Sequence, residues 1–228
     1  MSTVVSLESK AAQFALDEST RVLMCLEGEP DSDDLKVGVS PKGGRFTFTY
    51  GQSIHAQKDG PAIGRVRLNF EMTLDREGRY LAVHKSTFQL LDVRGKKPII
   101  RIEYVRDAHT APCSHVHFHA ESGLFTHLLA QTGHPTPAEI QSIHVPTGGD
   151  RFRPCVEDFL EFLIKDCRVA GRGGWEEEIE AGREEWRQRQ TAAAVRDRPD
   201  IAIAELRRLG MIVLGAPGPD RPPARNRY

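Results

Sequence analysis

The stretch Arg65-Val66-Arg67-Leu68-Asn69-Phe70-Glu71-Met72-Thr73-Leu74 alternates polar and apolar residues without a break. A strand sends successive side chains to opposite faces, so this pattern predicts one apolar and one polar face along its whole length. Half-burial of that kind belongs to an antiparallel sheet covered on one side, and it sets the fold class.

Working outward toward the N-terminus, Val37 and Val39 lead through Pro41-Lys42-Gly43-Gly44 into Phe46, Phe48 and Tyr50, which alternate with Arg45, Thr47 and Thr49. Pattern and turn chemistry together predict a hairpin, with Gly51 to Gly64 as the loop before the opening stretch. Before it, Leu7, Ala11, Phe14 and Ala15 recur at helical spacing and predict a covering helix over Ser6 to Thr20. A short strand over Val22 to Leu26 and an acidic turn over Glu27 to Asp34 follow.

Toward the C-terminus, Asp75 to Gly78 turns the chain into a strand over Arg79 to Val93, whose alternation slips near Ser86 as a bulge would make it do. Arg94 to Pro98 turns it again into Ile99 to Val105, with Ile100, Ile102 and Tyr104 on one side and Arg101 and Glu103 on the other. A connection through Asp107, His109 and Pro112 delivers a strand over His115 to His119. Short turns between successive strands favour a meander, because sequential strands usually neighbour each other. Arg101 and Glu103 then share a face with the histidines.

The second half is helical. Gly123 to Gln131 reads as a short helix and Ser142 to Pro146 as an extended piece containing His144. Val156, Phe159, Leu160, Leu163 and Ile164 define an amphipathic helix over Pro154 to Cys167, with Pro154, Glu157 and Asp158 suited to its start. A charged helix from Trp175 to Val195, another from Pro199 to Gly210, and a final strand over Met211 to Leu214 follow. The fold class is therefore α+β: a meandering antiparallel sheet of about six strands with covering helices and a helical C-terminal segment. Residues 1–168 form the sheet domain, 169–215 the helical segment, and 216–228, rich in proline and arginine, a disordered tail.

Composition excludes some classes. A chain of 228 residues with 39% hydrophobic and 28% charged content can bury its own core. Its net charge of −1 gives no overall basic field, so contact with nucleic acid would need a local arginine patch. No window is apolar enough for a membrane span and no signal peptide opens the chain, which reads as cytoplasmic. The four cysteines, Cys25, Cys113, Cys155 and Cys167, are scattered without a C-x-x-C pair and are expected to stay free.

Chemistry concentrates in Cys113-Ser114-His115-Val116-His117-Phe118-His119-Ala120-Glu121, where three of nine histidines fall at every second position. Two schemes fit. The first is metal-free cleavage of a phosphodiester: a His or Glu takes the 2′-hydroxyl proton, a protonated His supplies the leaving oxygen, and Arg stabilises charge on phosphorus. His115, His117, His119, Arg101 and Glu103 hold every residue type needed. The alternative is a divalent metal such as zinc, with His115 and His117 as ligands and a third from His144, Glu103 or Glu121; Cys113 shares the parity of His115.

Thr147-Gly148-Gly149-Asp150-Arg151-Phe152-Arg153 runs into a helix start, which makes Gly148, Gly149, Arg151 and Arg153 a candidate phosphate site, although no P-loop lysine follows. Arg65 and Arg67 would extend a basic track over the same sheet face.

Arg101-Ile102-Glu103-Tyr104, then Ser114-His115-Val116-His117-Phe118-His119, then Phe159-Leu160-Glu161-Phe162-Leu163-Ile164 resembles the TumE family of bacterial toxins. The resemblance implies a small antiparallel sheet with Arg101, Glu103, His115 and His117 on its active face, a metal-independent endoribonuclease activity on RNA, and an antitoxin-like protein partner. The chain is longer than those toxins, and carries a third histidine and a helical C-terminal region that they lack. A metal-dependent enzyme and a non-catalytic interaction module are the other classes compatible with the residues.

Overall fold

The computed structural model describes residues 2–30, 35–40, 44–75, 80–108, 111–119, 123–147 and 153–215. Helix α1 (Ser2–Cys25) precedes strands β1 (Lys36–Ser40), β2 (Arg45–His55), β3 (Ala62–Leu74), β4 (Leu81–Leu91), β5 (Pro98–Val105) and β6 (Ser114–Phe118). Helix α2 (Gly123–Gln131), a 3-10 turn (Ile140–Ser142) and the two-residue strand β7 (Val145–Pro146) follow, then α3 (Val156–Lys165), α4 (Trp175–Asp197) and α5 (Pro199–Arg208). The sheet runs β1 to β7 in chain order, every pair antiparallel. This is the expected α+β meander, with β7 added as a short seventh strand.

The apolar parity seen in Arg65–Leu74 builds the core. Val66, Leu68, Phe70 and Met72 are buried, as are Phe46, Phe48 and Tyr50 on β2 and Phe88 on β4. Phe48, Phe70, Phe88 and Phe159 stand in a row at centroid spacings of 6.0, 5.6 and 5.9 Å, carrying the sheet's face onto α3, while Phe14 meets Phe70 edge-on from α1 at 5.0 Å. Val169, Trp175 and Ile179 join the same cluster, so the start of the 169–215 segment is packed into the sheet domain's core. α5 buries no residue.

Three expectations are corrected and one is refined. Val22 to Leu26 is not a strand: α1 continues to Cys25, because Val22 and Cys25 extend the buried stripe of Ala11 and Ala15. Gly51 to Gly64 is largely strand. Gln52 occupies a core-facing position, and its amide is satisfied there by Tyr50 Oη, which donates to Oε1 at 2.7 Å, and by the Glu27 carbonyl, to which Nε2 donates at 3.1 Å. The bulge expected near Ser86 is present in β4, at His84, which is skipped between Glu71↔Lys85 and Met72↔Val83. Met211 to Leu214 forms no strand, and Ile212 and Leu214 are 88% and 89% exposed. The expected tail, 216–228, lies outside the described residues.

Under α4 lies a buried ionic cluster. Arg21 on α1 reaches Glu157 on α3 at 3.0 Å, Glu18 at 3.7 Å and Glu185 on α4 at 3.3 Å. Gly182 lets α4 come close: a Cβ there would stand 2.4 Å from both Arg21 Nε and Glu157 Oε1. Gly182→Ala is expected to displace that pair and to cost about 1–3 kcal/mol as overpacking, read as a lower urea midpoint with an unchanged m-value. An unshifted midpoint would refute the tight fit.

Candidate metal centre and polar trough

The polar parity of β5 and β6 assembles one cluster. Arg101 pairs with His117 and Glu103 with His115 in register, so all four side chains leave the sheet on the side away from the core. Burial of His115 and His117 is nonetheless nearly complete, at 3% and 4% exposure. The chain from the 3-10 turn to β7 provides cover: β7 pairs with His115 and Val116, and the Gln141 carbonyl reaches His117. The same segment brings in His144. Its ring centroid lies 4.9 Å from that of His115 and 4.8 Å from that of His117, which are themselves 4.7 Å apart. One ring nitrogen from each of the three falls within 4.8 Å of the others.

Hydrogen bonding fixes how two of these rings present themselves. His115 Nδ1 lies 2.7 Å from the Pro112 carbonyl and His117 Nδ1 lies 2.8 Å from that of Gln141. A carbonyl only accepts, so each Nδ1 carries the proton and donates it, leaving Nε2 as the free position of the neutral ring. Both Nε2 atoms face one carboxylate oxygen, Glu103 Oε2, at 3.5 Å from His115 and 3.1 Å from His117. Two lone pairs and a carboxylate oxygen converging at such distances need a shared positive charge, either a proton or a metal ion.

Electrostatics act in the same direction. A proton shared with His115 Nε2 would hold the Glu103 carboxyl down at about 2 against the cost of burial, with Arg101 adding to the effect, and a metal ion in the proton's place would keep it ionised in the same way. Burial pushes His117, His119 and His144 below the ordinary histidine value, which favours neutral rings at pH 7. Neutral imidazoles are the ligand form.

Of the other sequence candidates, His119 is adjacent but separate: its ring stands 6.4 Å from that of His117, and its buried Nε2 has no hydrogen-bond partner among the described residues. Cys113 is turned to the backbone, its Sγ 3.6 Å from the Arg106 carbonyl. Arg153 lies just before α3, and the charges that act on it are those of Glu18, Tyr104, Cys155 and Arg106, none of them in the histidine cluster. Gly148, Gly149, Arg151 and Glu121 lie outside the described residues.

Beside the cluster, the polar face hollows into a trough of about 400 Å³. Glu103 and Arg101 form its wall toward the histidines, and Lys85, Thr87, Gln89 and Asn69 line its floor. The trough's signal in the sequence is the shared polar parity of β2 to β5, which becomes a concavity only through the register of those strands. Glu103 and Arg101 belong to both trough and cluster, and Glu103 is the one that touches the histidines. Arg65 and Arg67 stand on the same face of β3, paired across to Leu91 and Gln89.

No protein family model matches the chain, and no curated protein or solved structure is significantly similar to it. Among the described residues no helix is long and apolar enough to cross a membrane.

Proposed function

We propose that the protein is a metal-dependent enzyme whose ion, of the zinc type, is held by His115, His117 and His144, with Glu103 beside it as fourth ligand or proton acceptor. The observation that carries this reading is the convergence of His115 Nε2 and His117 Nε2 on Glu103 Oε2, with both Nδ1 atoms bonded to backbone carbonyls and a third imidazole alongside. Carbonyl bonds on the far nitrogen orient and enrich metal-bound histidines generally. Tetrahedral zinc holds imidazole nitrogens about 2.0–2.1 Å away, hence about 3.4 Å from each other. The ring nitrogens lie within 4.8 Å of one another, so ion binding would draw each pair together by up to about 1.4 Å. A zinc-type ion would supply Lewis acidity and an activated water for hydrolysis. Glu103 faces that position from the trough side and is placed to accept the water's proton, while Arg101, at 3.3 Å from Glu103, holds the carboxylate in place.

The purified full chain is expected to carry about one zinc per molecule by elemental analysis, or to take it up from solution. Saturating zinc should raise stability by about 3 kcal/mol at a hundredfold excess over Kd. His144→Ala and His117→Ala should each abolish both effects, and a chain that neither retains nor binds a divalent metal would end the proposal.

A second reading keeps the same residues without metal: a cytoplasmic, toxin-like ribonuclease of the TumE type, with an antitoxin-like partner. One observation favours it, the Arg101–Glu103–His117 chain opening on the trough, which holds a cation, a base and an acid in sequence. RNA cleavage that persists in EDTA and disappears in His117→Ala would select this reading over the first.

A further inference from the structure

We infer that the trough beside the histidine cluster binds a small oxyanion-bearing molecule, a carboxylate or a phosphate ester, with its anionic group on the outer guanidinium nitrogens of Arg101, alongside Glu103 and within reach of the metal position. The inference rests on the metal reading and names the substrate class of that site. It begins from the charges on the wall and floor. Arg101 places only its Nε near Glu103, at 3.3 Å, and its guanidinium ends make no ion pair or hydrogen bond among the described residues. Lys85 likewise makes no hydrogen bond or ion pair among the described residues, although Glu71 sits opposite it across β3 and β4, because Glu71 is engaged by Arg45 at 3.0 Å. Two cations therefore face the trough with unused donors.

Without a metal the neighbourhood is close to balanced: Arg45 offsets Glu71, Arg101 offsets Glu103, and Lys85 is left over. A divalent ion on three neutral imidazoles would raise that excess from one positive charge to three. An excess of this size, confined to one end of a concavity, concentrates small anions there. The guanidinium fork suits the two oxygens of a carboxylate or phosphate, and a metal ion takes the third contact.

Size and composition argue for a small molecule over a polymer. About 400 Å³ lies within the range of small-ligand pockets. A nucleic-acid strand needs a cation for each of several phosphates, whereas this lining offers Arg101 and Lys85 as its basic groups. They lie four residues apart in register along neighbouring strands, about 13 Å at strand spacing, with Thr87 and Glu103 between them. Thr47, Asn69 and Gln89 supply neutral donors and acceptors for the body of such a ligand.

The test uses the full chain loaded with cobalt(II), whose visible absorption reports changes in its coordination sphere. Inorganic phosphate and succinate, titrated separately, represent the two ligand sources, and a saturable spectral change with either supports the inference and identifies the source. Arg101→Gln, compared with the wild-type chain after each has been saturated with cobalt, should weaken anion binding by about tenfold or more, the loss expected when one charged hydrogen-bonding partner is removed. Failure of the wild-type chain to bind cobalt would overturn the metal reading and this inference with it. Full cobalt loading with no response to either anion, or an undiminished response in Arg101→Gln, would overturn the inference and leave the metal reading standing. Tighter binding of a short single-stranded oligoribonucleotide than of either small anion would also overturn it.

Discussion

Arg21→Ala is expected to destabilise the protein by about 3–5 kcal/mol, because it leaves two buried carboxylates facing each other without their cation. Glu18 and Glu157 are 7% and 2% exposed, and Arg21 is the charged group within 4 Å of both. Burial raises the Glu18 carboxyl to about 7, with the Glu157 charge adding to the effect, and the cations that offset this are Arg21, Arg153 and Arg189. The sign follows directly. A folded-state value above the ordinary 4.5 means that the folded chain binds the proton more tightly than the unfolded chain. Stability from this group is greatest below about 4.5 and declines as pH rises to about 7. Removing Arg21 widens that gap, so the variant's deficit should be largest at pH 8 and should shrink at pH 5. Calorimetric unfolding at the two pH values checks it. A deficit that does not change with pH would contradict the ionic account and leave only lost packing.

Phe88→Ala is expected to cost about 3–5 kcal/mol through the cavity it opens. Phe88 is 1% exposed and is the ring through which the sheet's aromatic row reaches α3, at 5.6 Å from Phe70 and 5.9 Å from Phe159. For a chain of this length the loss corresponds to a fall of roughly 10 °C in Tm. Phe118→Ala provides the contrast: Phe118 is exposed, and its removal should shift Tm by no more than about 2 °C. Equal effects at the two positions would show that the row is not the joint between sheet and helix.

The sheet was legible wherever one face of a strand is apolar and the other polar. Arg65–Leu74 announced its own burial pattern, and Ile100, Ile102 and Tyr104 placed Arg101 and Glu103 opposite the core. Reading failed where tertiary partners override local preference. Gln52 is polar yet core-facing, because Tyr50 and the Glu27 carbonyl satisfy it from elsewhere in the chain. Val22 and Cys25 look extended in isolation, but their stripe continues from Ala11 and Ala15.

The candidate site divides in the same way. The alternation of His115, His117 and His119 is visible in the sequence, and His144 is one of the third ligands it offers. Burial of the pair was not visible, since it depends on where the chain around Gln141 lies. That residue contributes only a backbone carbonyl, a group every residue has. The trough was hidden for a related reason: it exists only once the register across β2 to β5 is known.

Pairing only between sequence neighbours also has a kinetic consequence. Each strand can add as a hairpin to the one before it, so the sheet has low contact order for a β structure and can assemble stepwise from the N-terminal side. Helix α1, by contrast, waits for partners far along the chain: Arg21 meets Glu157 on α3, and Gly182 closes on both from α4. During synthesis the histidine face is therefore complete before the ionic cluster is sealed, and a nascent chain released near residue 150 would expose the part of the sheet's apolar side around Phe88 that α3 covers. Such an intermediate is a natural substrate for chaperones.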